Sequence, residues 1–415
     1  MFFLGFFSSL KINIFGEIFL GEIILGGCVL LNILQNLFLG KRIVVPPFFV
    51  QIFWILLVWL FCQILSDVVN ETDFLSAIKG EFVPVFIFLI YWGLSILFSG
   101  GIRYSYFYGL FLGYLFFKYL SGHEYFLFNS WKFGGGVILG LVAFMLVDNY
   151  KGYSKKRMIL FLGGVFFLVS LINSSRALAG FFVFSAAVSV FVNEEKYSRF
   201  IRMLLGNRAK SVKLVVISVL FLFLLDRSLY MLFTYEPFLN ILSESAAYKY
   251  KSQALSEYGV ILGGRNELLV SVQAFFDKPI LGHGSWAENI KYVHMRYDYL
   301  AMQDDWIVNL EQVENHLNRY LIPTHSFLMG ALVWGGIFAG LFWIRVLGLC
   351  IQIFQVPSMV TSPFYFFAVL NVFWNVLFSP FGADARWINM VVIWLLVMRL
   401  NVEIRNIKPS GNENE

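Results

Sequence analysis

Eleven long apolar runs decide what this chain can fold into. They lie near residues 17–39, 44–66, 82–99, 104–120, 133–148, 158–173, 177–192, 213–225, 322–350, 359–378 and 387–400. A helix needs about 20 mostly apolar residues to cross the hydrocarbon core of a bilayer. The runs are continuously apolar, without the alternation of a membrane barrel, so they predict helices and make strands an unlikely use of the chain. Residues 1–16 are apolar too and predict a re-entrant piece or one further short span. Composition points the same way: 14% of residues are charged and 59% hydrophobic, against about 25% charged in soluble domains. Aromatic residues make up 19%, as suits lipid-facing surfaces and interfacial belts. The sequence predicts an all-α polytopic membrane protein, a bundle of about 11–12 transmembrane helices.

The scarce charges set the orientation. A net charge of +5 over 415 residues is too small for a nucleic-acid surface, so no nucleic-acid partner is expected. The positions of the positive residues say more. Lys41 and Arg42 lie between the first two runs. Lys151, Lys155, Lys156 and Arg157 precede the sixth, and Lys196, Arg199, Arg202, Arg208, Lys210 and Lys213 precede or open the eighth. Arg405 and Lys408 are in the tail. If the spans alternate, all four groups share one side, which the positive-inside rule makes cytoplasmic.

The opposite side then receives 226–321, which holds twelve Asp or Glu against eight Lys or Arg and so does not oppose translocation. Segments 268–276 and 299–321 have helical patterning, and aromatic and aliphatic residues are too frequent for disorder. The sequence divides into N-terminal transmembrane helices at 1–225, a large ordered external loop at 226–321, C-terminal transmembrane helices at 322–400 and a cytoplasmic tail at 401–415.

Cys28, Cys62 and Cys350 all lie inside apolar runs and are read as small hydrophobes. The N-terminal MFFLGFFSSL has neither a charged n-region nor an obvious small-residue cleavage site. There is no Walker loop, dinucleotide fingerprint or metal-ligand spacing, so neither a cofactor nor a metal is expected.

Four of the five histidines fall between 283 and 325. His325 opens the ninth run beside Pro323 and Thr324, and an imidazole at a membrane rim can accept a proton near neutral pH. Alternatively, it anchors the start of a helix. His283, His294 and His316 are read as loop-surface residues. Arg176 follows Asn173, Ser174 and Ser175 in a tight turn on the side the topology rule leaves poor in positive charge. A misplaced ionisable group there is a functional candidate, or else an arginine snorkelling to headgroups. Arg386 is similar, with Asp384 nearby as a neutralising partner. Arg265 follows Gly263 and Gly264, where the backbone can approach a ligand closely, and its planar fork suits phosphate. One histidine and several arginines facing one compartment suit a lipid-linked diphosphate. Gly134 to Gly136, Gly335, Gly336 and Gly340 are read as close helix-packing positions.

These residues carry a resemblance to a known family. His325-Ser326, with Leu328 three residues on and Gly336 eleven on, resembles the motif of the O-antigen ligase and O-antigen polymerase family. NSSRALAGFF at 173–182 is similar to the family's Ser-Arg helix start and places Arg176. GGRNELLVSVQAFFDKPILGHGSW at 263–286 is similar to its Gly-Arg, helix, Lys-Pro and Gly-x-Gly stretch, placing Arg265, Pro279, Gly282 and Gly284. The likeness spans most of the chain, with the three segments in order around one large loop. One position departs: where the ligase form often has Gly, Thr or Tyr, this chain has Ala339, with Gly340 next. Ligase and polymerase both stay open.

The resemblance implies a metal-independent glycosyltransferase of the bacterial inner membrane, acting on its periplasmic face in surface-polysaccharide synthesis. The donor would be a glycan on undecaprenyl diphosphate. The acceptor would be lipid A–core for a ligase, or another lipid-linked glycan for a polymerase. His325 would be the base, Arg176 and Arg265 would hold the diphosphate, and Arg386 and Ser326 would join in substrate binding. A transporter of lipid-linked sugars is the alternative, for which repeat halves and broken helices would be expected. A structural membrane protein whose arginines are lipid anchors is another.

Overall fold

The computed structural model describes residues 1–13, 16–122, 126–127, 129–205, 227–228, 230–240, 244–255, 266–304 and 320–407. Its helices are α1 (Phe2–Ser8), α2 (Leu20–Leu39), α3 (Phe49–Val69), α4 (Phe74–Leu97) and α5 (Tyr104–Leu120). A π-helical turn at Trp131–Gly135 leads into α6 (Gly136–Asn149), then α7 (Lys155–Ile172), α8 (Arg176–Phe191) and α9 (Glu194–Leu205). Within 226–321 lie α10 (Glu236–Leu239), α11 (Glu244–Leu255), α12 (Asn266–Asp277) and α13 (Ile290–Asp304). The chain closes with α14 (Phe327–Phe354), α15 (Pro357–Val360), α16 (Pro363–Phe378) and α17 (Ala383–Ile407).

Among the described residues six helical stretches are long and apolar enough to cross a membrane: α2, α3, α4, Trp131–Asn149, α14 and α17. Counting α8 and α9 as one span bent by 105° raises the number to seven. This is a multi-pass membrane protein built almost entirely of helices. The sequence expects eleven spans, and the difference has identifiable causes. α5 and α16 are helices of 17 and 16 residues, shorter than the other six although each runs between the two ends of the bundle, and α7 spends its first turn on Lys155, Lys156 and Arg157. The run at 213–225 lies outside the described residues.

At the N-terminus the further short span drops out of the two alternatives. At 7 residues and ~1.5 Å rise each, α1 covers about 10 Å of a core about 30 Å thick, so it does not span. It lies tightly across α5, where a Cβ on Gly5 would strike Tyr106 O, and one on Gly109 or Gly113 would strike Phe2 O or Phe6 O. The two short strands that follow, Lys11–Asn13 and Glu17–Phe19, pair antiparallel with Ile12 opposite Ile18. The sequence reading makes strands an unlikely use of the chain. This hairpin forms where the chain turns from α1 into α2.

α17 is central. Trp387 and Trp394 are fully buried; Trp387 stacks on Phe19 at 5.7 Å, and Trp394 Nε1 donates to Ser95 Oγ at 2.8 Å. The bundle has two distinct ends. At one, Asp148 Oδ2 accepts from Ser362 while Asp148 Oδ1 pairs with Lys155. There too Thr361 donates to Glu194, Tyr197 donates to Phe354 O, and Arg345 bonds Gln51. The loops around Lys41, Lys155 and Lys196 gather at this end. The other end carries the candidate site.

Candidate functional site at the helix starts

The local structure at His325 begins with a break in α14. Gly336 has φ +73° and ψ −169° inside an otherwise helical stretch, a backbone that glycine adopts at little cost. A Cβ there would strike Ile280 O. The sequence reading of Gly336 as a packing glycine is therefore corrected: it is where the helix opens. Backbone groups freed inside a membrane bundle must find partners, and residues 279–284 supply them. His283 N donates to Val333 O (2.7 Å), Gly284 N to Trp334 O (3.1 Å), and Ile337 N donates to Pro279 O (2.9 Å). Gly282, at φ +73°, is required because a Cβ would lie 2.6 Å from both Val333 O and Trp334 O. We expect Gly336→Ala to lose about 1–3 kcal/mol from backbone strain, read as a lower thermal midpoint in detergent. An unchanged midpoint would show that the break does not need glycine.

The same segment is pinned from below by α3. Ser285 N and Oγ both donate to the buried Asp67 carboxylate, at 2.6 and 2.7 Å, and Gln63 Nε2 donates to Ser285 Oγ at 2.8 Å. Ser66 Oγ donates to Trp334 O at 2.7 Å, and Trp286 stacks on Trp334 at 4.4 Å. Chain 287–289 then pairs with 320–322: Asn289 N donates to Tyr320 O and Ile322 N to Ala287 O. Residues 320–321 are thus extended and bridged, where sequence patterning predicts helix up to 321. This pairing delivers the chain to Pro323, Thr324 and His325.

His325 is half-buried and stands immediately before the helix cap. The cap is Ser326, whose Oγ accepts from Met329 N at 3.1 Å and donates to Val376 O at 2.7 Å. Ser326 is buried and its hydroxyl is engaged on both sides, so it fixes the start of α14. That role differs from the substrate contact expected from sequence.

His283 is corrected as well. It is half-buried, its Nε2 donating to Ala274 O at 2.8 Å and its ring edge-on to Tyr292. Burial pushes its pKa below the ordinary imidazole value, and nearby Lys278 and Lys291 act in the same direction. Next to it, Lys291 and Tyr292 donate to Asp277 at 2.7 and 2.6 Å and hold its carboxyl down at about 2. Arg296 pairs with Glu267, so α12 and α13 are clipped together at two points. His294 lies half-buried in α13.

Arg176 is the first residue of α8. Its guanidinium sits over Phe233 and Tyr250 at 5.1 and 4.9 Å from the ring centroids, and those rings stack on each other at 4.7 Å. The two aromatics belong to 226–321, so this segment covers the Arg176 turn. Burial raises the Tyr250 pKa, and Arg176 opposes the rise. Five residues further on, Phe181 meets Trp374 of α16 at 5.7 Å, while Ser326 bonds Val376 of the same helix. His325 and Arg176 therefore stand at the starts of two helices packed on the same end of α16. Arg265 and His316 lie outside the described residues.

Arg386 is not neutralised by Asp384, as the sequence suggests. It is buried, and its Nε and Nη2 bond Glu22 at 2.6 and 2.8 Å. It also donates to Glu17 O at 3.1 Å and lies over Phe86. Three of its five N–H donors are taken up by Glu22 and Glu17 inside the protein. Asp384 instead pairs with Lys11 and Lys118, both at 3.0 Å. Sequence reasoning passed over these lysines and Lys132. The criterion that flags Arg176, a positive residue on the poorly charged side, applies equally to Lys118 and Lys132.

The three cysteines are free thiols, with Cys62 and Cys350 buried. Among the described residues no group of His, Cys, Asp or Glu is placed to hold a metal ion. No family model matches the chain, and no curated protein matches it.

Proposed function

We propose that this protein is an O-antigen ligase-type glycosyltransferase, moving a glycan from undecaprenyl diphosphate to lipid A–core on the periplasmic face of a bacterial inner membrane. On this reading the spans number 11–12, the end rich in Lys41, Lys155 and Lys196 is cytoplasmic, and 226–321 is a periplasmic loop. The observation that carries the proposal is the joint placement of His325 and Arg176 on one end of α16, with residues of 226–321 over Arg176. A base and a phosphate-binding cation are what such a transfer needs at one membrane surface.

The chemistry follows from the donor. The acceptor hydroxyl oxygen attacks the anomeric carbon while its proton passes to the His325 imidazole. The bond from that carbon to the diphosphate oxygen breaks, and undecaprenyl diphosphate leaves with the electron pair. Arg176, with Arg265, offsets the charge that grows on the leaving group. No nucleotide is consumed, because the diphosphate ester already supplies the driving force.

A polymerase of the same family would use the same residues on a lipid-linked acceptor. A transporter is favoured less, although α14 is broken. The groups freed at its break bond to Pro279, His283 and Gly284 of the chain itself, whereas transporters use such groups to hold ions and substrate.

The test is transfer by the purified protein in lipid vesicles, with a lipid-linked glycan donor and lipid A–core as acceptor. Glycan-bearing lipid A–core is the expected product. Chain-lengthened lipid-linked glycan in its place would make the protein a polymerase, and no transfer to either acceptor would reject the reading. In a deletion strain, loss of all long glycan from lipid A–core is expected for a ligase, and a single retained repeat unit for a polymerase.

A further inference from the structure

A cavity of about 190 Å³ opens between α5, α6 with the π-helical turn before it, α16 and α17, lined in part by Tyr114, Lys132, Val137, Asn371, Asn375, Asp384 and Asn389. Polar side chains inside apolar helices are costly unless they are used. Three asparagines here form one network. Asn375 Nδ2 donates to Asn371 Oδ1 at 2.8 Å and to Asn389 Oδ1 at 3.0 Å, while its Oδ1 accepts from Ser379 at 2.7 Å. Asn389 Nδ2 donates to Ala385 O at 2.9 Å. An amide nitrogen carries two donors. Those of Asn371 have no protein partner among the described residues, though Asn371 is only 7% exposed and lines the cavity.

Four of the charges nearby balance one another. Lys118 and Lys11 share Asp384, Lys11 also pairs with Glu17, and Lys118 donates to Tyr114 Oη at 2.8 Å. Lys132, at the mouth, is exposed. It is held there by the π-helical turn, in which Phe133 and Gly134 leave helical backbone; such turns are frequent at functional sites.

A phosphate offers only acceptors and would face the Asp384 carboxylate and the amide oxygens. A sugar hydroxyl both donates and accepts, as do an amide and a tyrosine hydroxyl. The volume equals about six waters at ~30 Å³ each, room for one ring with its hydroxyls. The cavity lies at the His325 end of the bundle, since Phe381, just before α17, packs on Phe327 at 5.1 Å.

We propose that this cavity is a subsite for one uncharged sugar ring, with the Asn371 amide as its main donor. Only the origin of the sugar, from donor or acceptor glycan, rests on the transfer reading. The full-length protein in lipid nanodiscs would be probed with free hexoses and N-acetylhexosamines by saturation-transfer NMR. At least one sugar is expected to bind the wild type. Asn371→Leu, which removes the amide at similar volume, is expected to weaken binding about tenfold, the worth of one or two hydrogen bonds. Val137→Phe narrows the cavity from a wall that loses no hydrogen bond and is expected to abolish the signal. No binding by any sugar, or binding unchanged in both variants, overturns the subsite. His325→Ala is expected to bind as the wild type does. Sugar binding without any transfer by the wild type would end the transfer reading and leave the subsite standing.

Discussion

Replacing His325 by alanine is expected to slow glycan transfer by about 10²–10⁴-fold, the usual worth of a positioned general base. The loss should fall on kcat, with KM for the donor changed by no more than a few fold, because the imidazole acts on the attacking hydroxyl and the arginines hold the diphosphate. The fold should survive. α14 is started by Ser326, whose hydroxyl bonds both Met329 N and Val376 O, and by the buried Phe327. The segment before it is held by the 287–289 to 320–322 pairing. Ser326→Ala makes the contrasting control: loss of a helix cap costs about 1 kcal/mol, so it should lower the thermal midpoint and leave a measurable rate. Initial rates at saturating donor, with thermal midpoints on the same samples, separate the two. A His325→Ala rate within threefold of wild type would remove the histidine from the chemistry.

Much of the fold is legible in the sequence because the bilayer allows few solutions. A continuous apolar run must be a helix, and each expected run within the described residues is helical over most of its length. The same rule explains the shortfall in full spans. α5 and α16, at 17 and 16 residues, fall just below the usual crossing length of about 20 residues, while their ends still bond to opposite ends of the bundle. Candidate positions are legible through misplaced charge, which singles out Arg176 and Arg386. Charge alone gave no partner. Arg386 pairs with Glu22, 364 positions away in sequence, a contact that no local pattern encodes. Gly336 shows the other limit. The spacing from His325 marks it, yet a glycine that opens a helix and one that packs a helix look alike until the partner carbonyl of Ile280 is in place. The asparagine network on α16 and α17 left a trace that charge counting ignores, namely three amides within otherwise apolar runs.

The Arg386–Glu22 pair supports the second large effect. Glu22 has 0% side-chain exposure and Arg386 8%, so removing one partner strands a charge away from water. Arg386→Leu is expected to destabilise the protein by about 3–5 kcal/mol, the usual cost of breaking a buried pair from one side. Arg386→Lys should fall between, since an ammonium cannot reproduce the two-point bond to Glu22 or the contact with the Phe86 ring. Removing both charges is a different experiment. Well-packed apolar replacements of a buried pair are often neutral, so Glu22→Leu with Arg386→Leu should recover most of the loss. About 1 kcal/mol should be retained as a deficit, because Phe19 N then loses its acceptor on Glu22. Thermal midpoints in one detergent measure all three variants. Equal stability of the single and double variants would show that Glu22 is not stranded when Arg386 is lost. Activity of the double variant decides what the arginine is for. A folded double variant that transfers glycan makes the pair architectural, tying α17 to the start of α2. One that folds yet transfers nothing would return Arg386 to the substrate contact its sequence position suggests.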